Sequence, residues 1–292
     1  MPSFLIITST EDKASMNIRE HFLKSDQFKF NKASLKWHEN DLYQLESMEG
    51  SQSSKVYLGL TDERLIFLDD LKLKDIEVDF IIFASRHVSK TSRPSLLIHA
   101  TGNWNDDADF GGAPNDLSKT SALLLKVGYE SLIEKVKSAQ LNGFPIDMEV
   151  THHGPTVLDK PLVFMELGSS IKEWNNLVAS KVVTESIINT IYKYERIDHQ
   201  SNRIGLGFGG THYTPNFSRV LLKNEIAFSF ICPKYFIMDL DESKISLMMK
   251  NTVEKVDCFV IDWKGINSEG KQHLIPMLEK FNIPILKTKD FN

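Results

Sequence analysis

Short apolar runs alternate with longer amphipathic stretches along most of the chain. Residues 4–8 form an apolar run between polar neighbours, and residues 78–84 and 96–100 are continuous enough for strands buried on both faces. Residues 55–60, 64–68, 148–151, 162–167, 226–231, 235–238 and 257–261 read as further strands. Between these runs, residues 11–24 place Ala14, Ile18 and Phe22 on one helical face. Residues 117–140 do the same with Ala122, Leu125, Leu132 and Val136, until Asn142, Gly143 and Pro145 stop the helix. Ser170 and Glu173 have the spacing of a capping box and open a long helix to about Tyr194. Two more helices are expected near residues 243–254 and 268–281.

This alternation predicts an α/β fold with helices on both faces of a sheet. Strand pairs with no helix between them, such as 55–60 and 64–68, predict that the sheet is mixed. No internal repeat and no linker rich in Pro, Gly or Ser divides the chain, so residues 1–292 are read as a single domain. The weakest stretch is 47–54, a loop rich in Ser and Glu.

Composition narrows the classes. With 41% hydrophobic and 25% charged residues the chain can bury a sizeable core, which excludes a disordered protein. A net charge of −5 excludes a globally basic nucleic-acid coat, so an anionic partner has to meet a local patch. Only Cys232 and Cys258 are present, with no CxxC, which argues against a disulfide framework or a thiolate zinc site and for a reducing cytoplasm. The N-terminus lacks a basic region, and no apolar run approaches the roughly 18–20 residues of a membrane span. Neither a signal peptide nor a membrane partner is expected.

Five of the nine histidines end or follow apolar runs: His87, His99, His152, His153 and His212. Loops at strand ends are where α/β sheets place their sites. A lone histidine there is more often a packed residue, but five, with the carboxylate Glu166 at another strand end, point to chemistry. Imidazole and carboxylate ligands suit a catalytic zinc with three protein ligands and an open position. The same groups equally suit metal-free general-base catalysis on water. No HExxH spacing decides between them or picks out the ligands. His21, His38, His199 and His273 lie in polar or helical contexts and read as surface residues.

Two stretches hold no acidic residue: 81–104, with Arg86, Lys90 and Arg93, and 199–224, with Arg203, Arg219 and Lys223. Both contain candidate histidines, so these islands suit phosphate contacts. Glycine patterns add little. Gly205, Gly207 and Gly210 satisfy GxGxxG, but Pro215 and Asn216 stand where a helix is needed, which argues against a dinucleotide site. Residues 265–272 imitate a phosphate loop but lack the Ser/Thr that holds magnesium. Gly111 and Gly112 read as a tight loop after an acidic stretch, and no GxSxG supports a serine hydrolase.

Taken in order, Ser85-Arg86-His87, Ile98-His99-Ala100-Thr101-Gly102-Asn103-Trp104, Thr151-His152-His153-Gly154-Pro155-Thr156, Glu166-Leu167-Gly168-Ser169-Ser170 and Gly207-Phe208-Gly209-Gly210-Thr211-His212-Tyr213 resemble the archaeal and plant type of D-aminoacyl-tRNA deacylase. The His-His-Gly-Pro and Gly-Phe-Gly-Gly-x-His-Tyr strings carry most of the specificity, and the last 70 or so residues rest on continuity. The resemblance implies a phosphorylase/hydrolase-like core related to peptidyl-tRNA hydrolase, bound Zn2+ and a monomer in the cytoplasm. It implies hydrolysis of the ester joining a D-amino acid to the acceptor end of tRNA, with no DNA partner. His99, His152, His153, His212 and Glu166 are then the candidates for ligands or catalytic groups. Arg86, His87, Arg93, Asn103, Gly209 and Gly210 are the candidates for substrate contacts. Asn103 or the amides near Gly102 and Gly209 are candidate oxyanion donors. Two rivals stand beside this reading: another metal-dependent hydrolase of a small ester, amide or phosphoester, and a tRNA-binding module whose metal is structural.

Overall fold

Phe4–Ser9 forms β1 in the computed structural model, which describes residues 1–46, 54–73 and 76–291. Residues 47–53 of the Ser- and Glu-rich loop lie outside the described residues. Side chains along β1 alternate: Phe4 and Ile6 enter the main core, while Leu5 and Ile7 enter a second cluster on the opposite face. Asp12 caps α1 (Lys13–Lys24) by accepting from the Ser15 amide at 2.9 Å, and Ala14, Ile18 and Phe22 are fully buried as the spacing predicts.

The chain then forms a hairpin, β2 (Phe30–Trp37) and β3 (Asn40–Leu45), that the hydrophobic pattern does not predict. Its first strand is an edge strand with exposed residues through its middle, Lys32 and Lys36 among them, so alternation is lost. β4 (Val56–Thr61) follows the expected run. Residues 64–68, expected as a strand, contain instead a 3-10 turn at Leu65–Phe67. Leu65 and Leu68 are its buried residues, and their three-residue spacing suits a 3-10 turn rather than a strand.

β5 (Phe80–Arg86), β6 (Ser95–His99), α2 (Ala122–Ser138), β7 (Ile146–Met148) and β8 (Leu162–Gly168) come next. Ser170, whose hydroxyl donates to Glu173 at 2.6 Å, caps only a single turn, α3 (Ile171–Trp174), and not the long helix the spacing predicts. The long helix α4 (Leu177–Arg196) restarts under a second cap, Asn176, which accepts from the Ala179 amide at 3.0 Å. β9 (Arg203–Phe208) leads to α5 (Pro215–Lys223), so Pro215 starts a helix where the sequence reading took it to prevent one. Its missing N–H is harmless in a first turn. β10 (Ile226–Cys232), a 3-10 turn at Lys234–Asp239 in place of the expected strand 235–238, α6 (Glu242–Asn251), β11 (Cys258–Ile261), α7 (Ser268–Glu279) and β12 (Ile285–Lys287) complete the chain.

Among the described residues these strands make two sheets rather than one. The larger has eight strands in the order β2-β3-β4-β1-β5-β8-β6-β7, with a parallel centre and antiparallel pairings at β2–β3, β3–β4 and β8–β6. The smaller has four parallel strands in the order β10-β9-β11-β12. One hydrophobic cluster runs through both and takes in α1, α2 and α4. The opposite face of the large sheet is covered by Leu65, Leu68, Leu71, Ile76 and Val78.

Candidate active site

The two sheets join at the segment after β7. The Glu149 amide donates to the Ile98 carbonyl of the large sheet at 3.1 Å, and the Val150 amide donates to the His212 carbonyl, after β9, at 3.0 Å. The Thr151 amide reaches the Ile231 carbonyl of β10 at 3.0 Å. Backbone pairing therefore brings five elements' worth of chemistry to one place: His87 after β5, His99 ending β6, Glu149, His152 and His153 after β7, Glu166 in β8, and His212 after β9.

Three imidazoles are fixed in the same way. Nδ1 of His99 lies 3.0 Å from the Ala100 carbonyl, Nδ1 of His152 lies 2.8 Å from that of Val150, and Nδ1 of His153 lies 2.7 Å from that of Gly154. A carbonyl only accepts, so each Nδ1 carries a proton and each Nε2 of a neutral ring presents a lone pair. One ring nitrogen from each of the three lies within 4.8 Å of the others. His153 sits at φ 44°, a left-handed conformation for a non-glycine residue, and its carbonyl accepts from the Gly102 amide at 2.8 Å.

Two buried carboxylates face these rings. Glu166 shares its side of β8 with Leu162 and Phe164, a charge on an otherwise apolar face. Its Oε2 stands 3.2 Å from His87 Nδ1 and 3.8 Å from His99 Nε2. Glu149 Oε2 is 3.7 Å from His87 Nδ1 and 4.0 Å from His99 Nε2, and its Oε1 is 2.9 Å from His212 Nε2. No hydrogen bond is aligned on either Glu149 oxygen or on His99 Nε2, although all three atoms are buried. Such groups are normally paired.

Electrostatics divides the cluster. Burial alone would push the pKa of His87 and of His99 down, but the nearby carboxylates of Glu166 and Glu149, with Glu166 hydrogen-bonded to His87, outweigh it and raise both. Burial would raise Glu166, yet His87 and His99 hold it well below the ordinary carboxylate range. His152 goes the other way: burial, then His99, His153 and His212, drive it far below the usual value. Burial and His99 bring His153 to about 4. His152 and His153 are thus held neutral, the form in which imidazole acts as a base or a ligand.

The donor set fits a divalent cation. Zinc bonds to imidazole and carboxylate of about 2 Å place neighbouring ligand atoms roughly 3–4 Å apart, the range spanned by the His212–Glu149 and His99–Glu166 separations. The three unpaired buried atoms are the groups a cation would satisfy.

The substrate-contact candidates fare differently. Arg86 and Asn103 line the cavity in front of the cluster, whereas Arg93, Gly209 and Gly210 do not. Arg93 is ion-paired to Asp147 and lies over the Tyr213 ring at 5.1 Å. Gly209 and Gly210, both at positive φ, turn the chain after β9, and a Cβ on Gly209 would meet Ile266 at 2.6 Å. The expected oxyanion donors are engaged elsewhere. Asn103 Nδ2 donates to the carbonyls of Gly111 and Ala113 at 2.8 and 3.1 Å, the Gly102 amide to His153, and the Gly209 amide to Cys232 at 2.8 Å. His38, expected at the surface, has a buried side chain packed on Trp37 at 4.1 Å.

Sequence reasoning missed Glu149 as a functional residue. Its signal was available: an acidic residue inside an apolar stretch, three positions before a histidine pair. Asp12 was also missed, a buried carboxylate that lines the cavity and accepts from the Arg86 amide at 2.7 Å. So was the role of Tyr213, whose hydroxyl lies 3.4 Å from His87 Nε2. Tyr213 stands in the Gly-Phe-Gly-Gly-x-His-Tyr string, but nothing local ties its hydroxyl to His87, and Asp12 has no local pattern at all.

Fold and site together define an α/β enzyme with a buried histidine–carboxylate centre at the junction of two sheets. A family profile described as D-aminoacyl-tRNA deacylase matches residues 74–286. The D-aminoacyl-tRNA deacylase of Pyrococcus furiosus is 32% identical over 290 residues, covering 97% of this chain and 99% of its own length. That of Methanocaldococcus jannaschii is 31% identical over 284 residues, with coverages of 96% and 97%. The crystal structure of a conserved protein of unknown function superposes with a TM-score of 0.83 at 31% identity, covering 99% of this chain and 96% of that one. The chain belongs to the D-aminoacyl-tRNA deacylase family.

Proposed function

We propose that this protein hydrolyses the ester bond of D-aminoacyl-tRNA in the cytoplasm, releasing tRNA and the D-amino acid, with a zinc ion held by the histidine–carboxylate cluster. The family supports the substrate class. The observation that supports the chemistry is the Nε2 lone pairs of neutral His152 and His153 beside buried Glu149 oxygens on which no hydrogen bond is aligned.

His99, His152, His153 and His212, with Glu149 and Glu166, are the residues that would hold the ion. When bound there, zinc supplies Lewis acidity toward the ester carbonyl and makes water more acidic. The protein's own groups do the rest. Whichever of His152 and His153 does not hold the ion, neutral at physiological pH, accepts a proton at Nε2 from the attacking water. Glu166 anchors His87 at Nδ1, leaving His87 Nε2 directed toward Tyr213. Arg86 and Lys90, which line the cavity, meet the phosphates of the acceptor end.

The test is release of free amino acid from D-tyrosyl-tRNA and L-tyrosyl-tRNA, each with and without a chelator. D-selective release abolished by demetallation and restored by zinc is the expected result. D-selective release that survives thorough demetallation would move the chemistry to a histidine base alone. Binding of tRNA with no release from either substrate would sink the reading in favour of a binding module.

A further inference from the structure

A cavity of about 550 Å³ opens in front of the cluster, within the usual size range of small-ligand sites. His152, His153 and Glu166 stand on its wall together with Ile66 and Phe110. Phe110 is 65% exposed, an unusual state for an aromatic ring whose backbone is so firmly tied. Its carbonyl accepts from the Gly154 amide at 3.1 Å, one residue beyond His153. The next residues are held by Asn103, which donates to the carbonyls of Gly111 and Ala113, and by Thr156 Oγ1, which accepts from the Ala113 amide at 2.8 Å.

Gly111 closes this loop against the turn at Leu65–Phe67. At φ 86° a Cβ there would lie 1.8 Å from the Ile66 carbonyl oxygen, so only glycine allows the approach. Phe110, Ile66 and Arg64 line the same cavity, and the Arg64 guanidinium lies 5.0 Å from the Phe67 ring centroid. An exposed aromatic side chain and an arginine, both on anchored backbone beside a reaction centre, are the usual equipment for stacking an unpaired base at an RNA end.

We propose that Phe110, with Ile66 and Arg64, forms the subsite for the terminal adenine base of the substrate tRNA. This rests on the reading above that the substrate is an aminoacyl-tRNA. The ester to be cleaved lies on the terminal ribose, and adenine is bonded to that same ribose. The base therefore has to sit close to the cluster, and Phe110 lines the same cavity as His152, His153 and Glu166. Arg64, Arg86 and Lys90, which line the same cavity, are the cations that can meet the 5′-phosphate. The terminal nucleoside is common to every aminoacyl-tRNA, so a fixed platform suits it better than it suits a side chain that varies.

Two measurements test the proposal. The first is kcat/KM of wild type, Phe110→Ala and Phe110→Trp on D-tyrosyl-tRNA, D-tyrosyl-adenosine and D-tyrosine ethyl ester. Loss of one stack should weaken the two adenosine-bearing substrates about tenfold or more, chiefly through KM. The loss on the ethyl ester, which has no base, should be at least about fivefold smaller, and Phe110→Trp should recover most of the activity. Equal losses on all three substrates would place Phe110 against the amino acid and overturn the assignment. The second is calorimetric binding of the trinucleotide CCA, which carries no ester and reads the subsite whether or not turnover is seen. Phe110→Ala should bind it about tenfold more weakly; equal binding by both proteins overturns the proposal, while absent turnover by wild type counts against the deacylase reading alone.

Discussion

Glu149 shows what a single residue does in this site. Its side chain is buried, neither oxygen has an aligned hydrogen bond, and its neighbours are the imidazoles of His87, His99 and His212. A buried carboxylate with no aligned hydrogen bond is destabilising, and a bound cation removes that penalty. Glu149→Gln keeps the shape and removes the charge. The variant should bind less zinc, measured by elemental analysis, and turn over at least about 100-fold more slowly. In chelator it should also melt several degrees higher than the equally demetallated wild type. A variant with full zinc content and a lower melting temperature would show that Glu149 is a structural partner of the histidines.

At the scale of elements, Asp12 ties the start of α1 to the end of β5. One carboxylate oxygen caps Ser15, and the other takes the Arg86 amide, which sets the direction of the chain into His87. Burial raises its pKa from 3.8 to about 6, against the lowering effect of those two amides and of the Arg86 charge. A carboxyl with a raised folded pKa binds its proton more tightly in the native state. Its contribution is therefore favourable at pH below about 4 and is lost as pH rises through about 6. A shift of about two units corresponds to roughly 3 kcal/mol. Between pH 4 and pH 7 the stability of wild type should fall relative to Asp12→Asn by about that amount, as followed by urea denaturation. A constant difference across the range would show that Asp12 is ionised throughout.

Elements were legible where burial imposes one period and illegible where it does not. β5, β8 and β10, buried but for Arg86, stand close to the residues their apolar runs predict, and α1 follows its apolar face. The β2–β3 hairpin is exposed through most of its first strand, so alternation could not announce it. Pro215 was taken as a break because proline's effect depends on whether it falls inside a helix or at its first turn, and that is settled by the chain before it.

For the whole molecule, a net charge of −5 means that a polyanionic substrate cannot be held by the overall field. Affinity for tRNA then depends on a few cations near the cavity. Replacing Arg86 and Lys90 together by Ala should raise KM for D-tyrosyl-tRNA and reduce the slope of log KM against log salt by about 1.5, for two lost phosphate contacts. Arg93→Ala, with its guanidinium already held by Asp147, should change the slope much less. Equal slopes for wild type and the double variant would remove Arg86 and Lys90 from the interface.

The sequence by itself determined the α/β class, most of the strands and helices, and the residue types of the centre. Each of these follows from local periodicity or from chemically distinctive side chains in short strings. Tertiary structure decided which of those side chains meet. The division into two sheets, the pairing of residues 149–151 with both of them, and the approach of Gly111 to Ile66 join parts of the chain far apart in sequence. Glu149 became a member of the site only there, because a carboxylate's role is set by the neighbours that folding places around it, and local sequence records none of them.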